Sequence, residues 1–291
     1  MKILIFGGDG MLGHQLFRAW RLRHDVRVTL RQDANTYARF QLFDARMAYF
    51  GVNVRSLPDV VDVLADAQPN VVINAVGIVK QRPTAKEIIP NLEVNAVFPH
   101  RLAQMCRAIG ARVIQFSSDC VFSGLKGNYR ESDAADANDL YGRTKFLGEL
   151  HEPHCLTLRT SIIGLELWRK QSLIEWYLAQ RGPVQGFRRA IYSGLTTAEM
   201  ARAVEHVLLY EPDLSGLWHL ASSAISKYDL LKALTERLRR RDVDLQPQDE
   251  FVCDRSLDST ALLSRVKYRV PPWNVMLDQL AASILERDRQ S

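Results

Sequence analysis

The glycine-rich segment near the start of this 291-residue sequence constrains its fold more than any other feature. Gly7-Gly8-Asp9-Gly10-Met11-Leu12-Gly13 has the pattern G-x-x-G-x-x-G, directly after the apolar run 2–6 and before an amphipathic helical pattern over 11–21. Glycine permits a tight turn here and lets a phosphate approach the backbone closely. The segment therefore predicts a strand–turn–helix unit that opens a parallel α/β sheet.

Short apolar runs alternate with helical patterns through the first half of the chain. The predicted strands are residues 2–6, 25–30, 71–74, 112–117 and 155–159, and the predicted helices are 11–21, 57–67 and 95–109. Such alternation is typical of a parallel sheet with helices on both faces. We expect an α/β protein with a Rossmann-type, doubly wound parallel sheet.

The second half of the sequence is less regular. Its predicted helices are residues 173–180, 197–210 and 227–239, and residues 216–220 are predicted to form a short strand. The change near residue 160 predicts a smaller C-terminal lobe. We expect its boundary to be interleaved, with a strand over 191–193 returning to the first lobe.

Composition excludes several classes of protein. Hydrophobic residues make up 47% of the chain and charged residues 24%, as in ordinary globular proteins. No apolar run approaches the roughly 18 residues that would span a bilayer. The N-terminus reaches its glycines too early for a signal peptide, so we expect a cytoplasmic protein with no membrane partner. Four widely spaced cysteines without a CxxC pair predict buried thiols rather than a zinc site or disulfides.

The formal net charge of +5 is carried mostly by arginine. The densest basic cluster is Arg237, Arg239, Arg240 and Arg241, at the end of a Leu-rich helical pattern. We interpret it as a solvated helix face, since nucleic-acid binding favours a broader basic stripe, and we expect no nucleic-acid partner. A modest positive charge also suits an anionic small molecule.

The glycine segment and the next strand predict a dinucleotide cofactor. A helix N-terminus offers unpaired N–H groups and a favourable dipole to a pyrophosphate. The second strand ends at Arg31, where a protein specific for NAD usually has an acid that binds the ribose hydroxyls. Because an arginine can instead hold a 2′-phosphate by charge-assisted hydrogen bonds, NADP(H) is favoured over NAD(H).

A candidate catalytic group follows the fourth predicted strand of the alternating half. Tyr141 and Lys145 form a Y-x-x-x-K pair, and residues four apart share one face of a helix. An ammonium beside a phenol favours the phenolate, which suits proton transfer near neutral pH. Ser117 and Ser118 end the preceding predicted strand, and doubly wound sheets place ligands at the carboxyl ends of their strands.

Further stretches match a known family. Besides the glycine segment they are Asn74-Ala75-Val76-Gly77, Val94-Asn95-Ala96, Ser117-Ser118-Asp119-Cys120-Val121-Phe122-Ser123-Gly124, Tyr141 to Lys145 with Gly148-Glu149, Leu158-Arg159-Thr160-Ser161 and, more weakly, Asp254-Arg255-Ser256-Leu257-Asp258. With these stretches the sequence resembles the extended short-chain dehydrogenase/reductase family. Within it the sequence is most similar to reductases of nucleotide-linked 4-keto-6-deoxysugars, the dTDP-4-dehydrorhamnose reductase type. The likeness covers nearly the whole chain and is more specific over the first 165 residues.

The resemblance implies a role for each matching residue. Ser118 would bind the substrate carbonyl, Tyr141 would give that oxygen its proton as hydride arrives from the nicotinamide, and Lys145 would bind the nicotinamide ribose and lower the pKa of Tyr141. The implied cofactor-binding residues are Gly7, Asp9, Gly10, Met11, Leu12, Gly13, Arg31, Asn53, Ala75, Gly77, Tyr141 and Lys145. The implied substrate-binding residues are Lys80, Cys120, Ser161, Thr196 and Arg255.

The resemblance also implies a division of labour between lobes. Residues 1–160 would form the NADP(H)-binding Rossmann domain with the catalytic residues, and residues 161–291 the smaller substrate-binding lobe. Asn95 would brace the fold behind the site. Lys80 and Arg82 are candidates for contact with cofactor or substrate phosphates, and Arg159 is a further candidate for the substrate diphosphate. Because extended members often dimerise through a pair of helices, a homodimer is a further expectation.

The sequence departs from the family pattern at three places. Cys120 stands where rhamnose-type reductases usually have tyrosine, and it is either a packed residue or a thiol that faces the substrate. The segment 192–197 replaces one that contains Gln and Pro and would face the sugar nucleotide. The acidic residues that place magnesium at the dimer interface of some relatives have no clear counterparts, so we expect no metal.

Three functions remain open at this point. The first is an NADPH-dependent 4-ketoreductase of a nucleotide-linked deoxysugar in glycan precursor synthesis. The second is a sugar-nucleotide epimerase or epimerase-reductase that uses Cys120, whereas a dehydratase would need a glutamate at that position. The third is a non-catalytic regulatory subunit that binds NADP.

Overall fold

The structure is a computed structural model that describes residues 1–80 and 86–290. Its strands are β1 (Lys2–Phe6), β2 (Asp25–Thr29), β3 (Ala48–Tyr49), β4 (Val71–Asn74), β5 (Arg112–Phe116), β6 (Cys155–Arg159), β7 (Ile162–Ile163), β8 (Gly182–Phe187), β9 (Ala190–Tyr192), β10 (Leu195–Thr196), β11 (Gly216–His219), β12 (Ile225–Ser226), β13 (Val243–Gln248) and β14 (Cys253–Asp254). Its α-helices are α1 (Met11–Trp20), α2 (Ala34–Tyr37), α3 (Leu57–Ala67), α4 (Ile88–Asn91), α5 (Phe98–Ala108), α6 (Leu140–Leu147), α7 (Leu173–Ala179), α8 (Thr197–Tyr210), α9 (Lys227–Leu238), α10 (Thr260–Val266) and α11 (Trp273–Gln290).

A seven-stranded sheet organises the first half of the chain. Its order is β11-β6-β5-β4-β1-β2-β3, and the pairings from β6 through β3 are all parallel. Strands β1 and β4 are buried over almost their whole length, as strands covered on both faces are. The chain reverses direction across the sheet between β1 and β4, the switch point at which doubly wound sheets bind ligands. The predicted Rossmann-type parallel sheet is thereby confirmed.

The apolar faces of α3 and α5 pack on one side of this sheet. The shared core contains Leu4, Phe6, Val60, Leu64, Val72, Phe98, Leu102 and Val113 among its buried residues. Helix α3 begins after Ser56, whose side chain accepts from the Asp59 backbone N–H and so satisfies one free donor of the first turn. It presents apolar residues at helical spacing on the buried face.

The chain divides into two compact units that interleave along the sequence. The first comprises residues 1–121, 138–159 and 212–218, and the second comprises residues 122–137, 160–211 and 219–291. The second unit contains three small sheets: β7 with β10, β9 between β12 and β14, and β8 with β13. Helices α7 to α11 belong to this unit.

Two local predictions were wrong. The strand predicted over 191–193 does not return to the first lobe, because β9 pairs with β12 and β14 inside the second unit. The segment that does return is 212–218, which places most of β11 next to β6. The helix predicted to begin at residue 95 begins with α4 at Ile88 and continues through a π-helical turn, Leu92–Val97, into α5.

The cysteines and the basic cluster have simple structural roles. All four cysteines are free thiols; Cys106 and Cys155 are buried, and burial raises the pKa of each to about 12. Arg237 and Arg240 in the basic cluster form ion pairs with Asp278 and Asp242. Among the described residues, no helix is both long and apolar enough to cross a membrane.

Candidate active site

The glycine segment forms a tight turn between β1 and α1. Gly7 has a φ of +87°, which favours glycine, and the Gly10 N–H donates to the Gly7 carbonyl at 3.1 Å. A Cβ on Gly13 would overlap the Gly7 carbonyl oxygen, and a Cβ on Gly8 would lie 2.6 Å from Val28 Cβ. The spacing of the glycines is therefore required by the turn itself, which packs helix against strand with no room for a side chain.

The N-terminus of α1 is free of side-chain capping. Gly10 is the N-cap and supplies no side chain, and the first turn contains no acidic residue. The free N–H groups and the helix dipole therefore favour an anion at this end. His14, one turn on, is buried and donates Nδ1–H to the Gly10 carbonyl at 2.8 Å. Burial lowers the pKa of His14 to about 4, so this side chain adds no charge at neutral pH.

The ends of β2 and the glycine turn are tied together. The Tyr37 hydroxyl donates to Asp9 at 3.1 Å and accepts from the Gln32 backbone N–H at 3.3 Å. Arg31, between them in sequence, is exposed and makes no hydrogen bond or ion pair within the described part of the chain. The arrangement leaves a cation without an acidic partner at the end of β2, beside the loop that the sequence assigns to the cofactor.

The loop after β4 is held from behind by one asparagine. Ala75 N–H donates to the Phe6 carbonyl at 3.0 Å, which continues the β1–β4 pairing to the end of the sheet. Asn95, in the π-helical turn, accepts from the Ile78 N–H at 2.9 Å and donates to the Ile78 carbonyl at 3.1 Å. Its amide also donates to Thr144 Oγ1 on α6 at 3.3 Å. Asn95 thus joins the loop that contains Gly77 to the helix that bears Tyr141 and braces it.

Ser118 lies just beyond the carboxyl end of β5. It is buried, accepts from the Cys120 backbone N–H at 3.0 Å and donates to Asp119 Oδ1 at 3.1 Å. These contacts belong to a short 3-10 turn, Asp119–Val121, that fixes the hydroxyl at the strand end. A hydrogen bond between Ser118 and Tyr141 acts to lower the pKa of the tyrosine. The structure therefore brings together the two hydroxyls that the sequence pairs.

Helix α6 carries Tyr141 in its first turn and Lys145 in its last. The helix begins after Asp139, whose Oδ1 accepts from the Gly142 N–H at 2.9 Å. Lys145 is buried, and its ammonium donates to the carbonyl of Phe116, the last residue of β5, at 2.5 Å. The contact fixes the catalytic helix against the strand that precedes Ser118.

The electrostatics of this pair differ from the sequence-based expectation. Lys145 was expected to lower the pKa of Tyr141, but burial raises that pKa, and the nearby Cys120, Asp119 and Asp139 raise it further. Burial also lowers the pKa of Lys145 to about 8, against an opposing effect of Glu149. The low-dielectric surroundings penalise both charged forms, so desolvation outweighs the attraction expected between phenolate and ammonium.

A buried ion pair lies behind the site. Glu149 accepts from Arg159 through both carboxylate oxygens, at 2.7 and 2.8 Å, and from the Ser117 hydroxyl at 2.6 Å. Arg159 is only 4% exposed. Its prediction as a ligand of the substrate diphosphate is therefore wrong, because its guanidinium is committed to a buried bidentate pair.

Three further predicted site residues belong to the first unit. Lys80 Nζ donates to Asp139 Oδ2 at 2.7 Å. Cys120 is half-buried and close enough to Tyr141 to affect its ionisation. Asn53 is exposed and accepts from the Arg55 N–H at 3.1 Å in the turn before α3. Arg82 lies outside the described residues.

The predicted substrate residues of the second unit have mainly structural contacts. Thr196 is 2% exposed and caps α8 by accepting from the Glu199 N–H at 3.3 Å. Ser161 is half-buried, and its carbonyl accepts from the Leu195 N–H. Arg255 donates to the Phe122 and Ser123 carbonyls at 2.8 and 3.3 Å.

Asp139 is the main residue of the candidate site that sequence reasoning missed. Its carboxylate serves the α6 backbone through one oxygen and Lys80 through the other. An aspartate two residues before the tyrosine is a recognisable N-cap signal, although the sequence does not reveal its second partner. Over residues 1–80 and 86–290, no group of three or more His, Cys, Asp or Glu side chains is arranged to hold a metal ion.

Strand order, glycine turn and a serine–tyrosine–lysine group at the strand ends define an α/β protein of the extended short-chain dehydrogenase/reductase type. The chain belongs to the family described as the RmlD substrate binding domain, whose model matches residues 1–269.

Individual relatives agree with this placement. The chain is 27% identical over 257 residues to the dTDP-4-dehydrorhamnose reductase of Escherichia coli K12, covering 84% of this chain and 81% of that one. It is 29% identical over 152 residues to the bovine methionine adenosyltransferase 2 subunit beta, covering 51% of this chain but only 41% of that relative's length. A solved dTDP-4-dehydrorhamnose reductase from Bacillus anthracis, in complex with NADP, is similar in fold, with a TM-score of 0.77 and 20% identity over 97% of this chain and 98% of that one.

Proposed function

We propose that this protein is an NADPH-dependent reductase that converts the C4 ketone of a nucleotide-linked 4-keto-6-deoxysugar to an alcohol. The observation that carries the proposal is the gathering of Ser118, Tyr141 and Lys145 at the end of β5. The likeness to a dTDP-4-dehydrorhamnose reductase over 84% of this chain supports the substrate class.

The residues of the first unit fit a dinucleotide. Gly7 and Gly13 keep the turn free of side chains, and the uncapped start of α1 offers backbone donors to a pyrophosphate. Arg31 would hold a 2′-phosphate, and Asn53, Ala75 and Gly77 would line the rest of the site. When bound, the nicotinamide supplies the hydride.

The chain's own residues then activate the ketone. The Ser118 hydroxyl would turn its proton from Asp119 Oδ1 to the carbonyl oxygen of the substrate and hold that oxygen beside Tyr141. Tyr141 is protonated at neutral pH because burial raises its pKa, so it is a donor ready to protonate the developing alkoxide. Lys145 would supply positive charge that becomes useful as Tyr141 loses its proton.

The direct test is turnover with a panel of dTDP-, UDP- and GDP-linked 4-keto-6-deoxysugars. We expect purified protein to consume NADPH with at least one of them. Tyr141→Phe removes the proton donor and is expected to lower kcat/KM by about 10²- to 10⁴-fold, the usual contribution of a general acid. Tyr210→Phe, at an exposed tyrosine of α8, is the matched control and should leave kcat/KM unchanged. Absence of turnover across the panel would overturn the proposal.

A second candidate is a subunit of another enzyme that binds a dinucleotide without turning it over. The partial match to a methionine adenosyltransferase subunit beta favours it. This function predicts tight NADPH binding, no NADPH consumption with any sugar nucleotide, and copurification with a larger partner. Retention of NADPH binding by Tyr141→Phe is common to both candidates, so turnover and copurification separate them and NADPH binding does not.

A further inference from the structure

The Lys80 ammonium lies over the aromatic ring of Tyr141. The Lys80 ammonium lies 5.7 Å from the centroid of the Tyr141 ring, within the range of a cation–π interaction. The same ammonium donates to Asp139 Oδ2 at 2.7 Å. The Lys80 side chain is 35% exposed, so it is a cation that water still reaches, unlike the buried Lys145.

Both ends of this contact are fixed by the fold. Asp139 uses its second oxygen to cap α6, so its carboxylate is held at the start of the helix that carries Tyr141. Two residues before Lys80, the backbone of Ile78 is bound on both sides by Asn95. The lysine therefore extends from an anchored loop to an anchored acceptor, with the tyrosine ring beside it.

The other charged or titratable groups near Tyr141 do not duplicate this position. On the 3-10 turn, Asp119 and Cys120 disfavour the phenolate, as does Asp139 on its own helix. Lys145 is directed at the Phe116 carbonyl. Of the elements that pack against α6, the π-helical turn carries Glu93, which is paired with Arg55. On α6 itself Arg143 is exposed.

We propose that Lys80 is a positioning residue for Tyr141: held by Asp139, its ammonium stabilises the negative charge that the phenol oxygen acquires as its proton leaves. This inference rests on the proposed reductase function for its catalytic meaning. It replaces the sequence-based expectation that Lys80 binds a phosphate.

The first test reads the ionisation of residue 141 without turnover. A fluorinated tyrosine placed at 141 ionises well below tyrosine, and its ¹⁹F shift reports the phenolate. We expect Lys80→Met to raise the pKa of this phenol by about one unit, a tenfold change in its ionisation constant, and Lys80→Arg to restore it. Lys126→Met is a closely matched control, because Lys126 lies 5.7 Å from the Tyr129 ring and donates to Asp133 at 2.5 Å in the second unit. Equal titration curves for wild type and Lys80→Met would overturn the proposal.

The second test measures whether loss of the Lys80 ammonium changes kcat or KM. Lys80→Met is expected to lower kcat about tenfold and to change KM for NADPH and the sugar nucleotide less than about twofold, because the interaction strengthens as the proton leaves Tyr141. A raised KM with unchanged kcat would instead indicate a phosphate ligand and contradict the proposal. If the ¹⁹F shift appears but no substrate is turned over, the reductase function fails while the Lys80 contact stands. If turnover is normal and the titration is unmoved, only the Lys80 inference fails.

Discussion

Two lysines are proposed to stabilise negative charge on Tyr141, and they differ in their surroundings. Lys145 is buried against the end of β5, and with a pKa lowered to about 8 it is still mostly a cation at neutral pH. Lys80 stays partly in water and acts from the ring face. The division is physically sensible, because a second buried cation would add its own desolvation cost whereas a half-exposed one does not.

The proposed preference for NADP(H) depends on Arg31. Its exposed guanidinium at the end of β2 would bind a 2′-phosphate, which NADH lacks. We expect Arg31→Ala to weaken NADPH binding about 10- to 100-fold, the scale of a charge-assisted hydrogen-bonded contact, and to leave NADH binding unchanged. Isothermal titration calorimetry of both cofactors measures this difference. Arg21→Ala, a half-exposed arginine just after α1, is the control; equal losses for NADPH and NADH in Arg31→Ala would contradict the assignment.

At the scale of elements, α1 combines the proposed cofactor site with a buried histidine whose protonation is expected to affect stability. His14 is buried and donates a hydrogen bond from Nδ1–H to the carbonyl of the N-cap glycine, Gly10. A neutral imidazole is required there, because a charged one would be desolvated at the positive end of the helix dipole. The same turn that favours a phosphate therefore disfavours protonated His14.

This arrangement predicts a loss of stability in acid. The pKa of His14 falls from 6.5 to about 4 on folding, so the unfolded chain binds the proton first as pH decreases. Stability is complete above about pH 6.5 and is lost between there and about pH 4, by about 3 kcal/mol at roughly 1.4 kcal/mol per pKa unit. Denaturant unfolding of wild type and His14→Asn across this window measures the slope attributable to His14.

The asparagine variant keeps an N–H donor in the place of Nδ1 and cannot gain the charge. Its free energy of unfolding should therefore depend less on pH than that of wild type, even if its value at neutral pH is lower. His151→Asn, at an exposed histidine, should retain the wild-type slope. Identical slopes in His14→Asn and wild type would show that His14 titrates normally.

For the whole molecule, sequence patterns predicted the features that depend on residues close together in the chain. Buried parallel strands such as β1 and β4 are continuous apolar runs, and the glycine turn is recognisable in part because Gly10 and Gly13 are limited by contacts with Gly7, within seven residues. Ser118 was predictable because it follows a predicted strand, and Tyr141 and Lys145 were predictable because residues four apart share one face of a helix.

Long-range partners were not predictable in the same way. A three-residue strand such as β9 has no pattern that specifies which sheet it joins, and the return of 212–218 to the first unit is a matter of tertiary pairing. Arginine often binds phosphates, and only the buried Glu149 shows that Arg159 is structural here. Lys80 binds the carboxylate of Asp139, which lies 59 residues further along the chain, and no local pattern predicts that contact.

The central claim is that hydride goes from NADPH to the sugar C4 and that Tyr141 supplies the proton. The most direct measurement uses NADPH deuterated at the transferred position of the nicotinamide, with the sugar product examined by NMR. Deuterium is expected at sugar C4 with wild-type protein, and in Tyr141→Phe it is expected to appear there about 10²- to 10⁴-fold more slowly although that variant still binds NADPH. Protein that binds NADPH and the sugar nucleotide yet leaves no deuterium at C4 would contradict it.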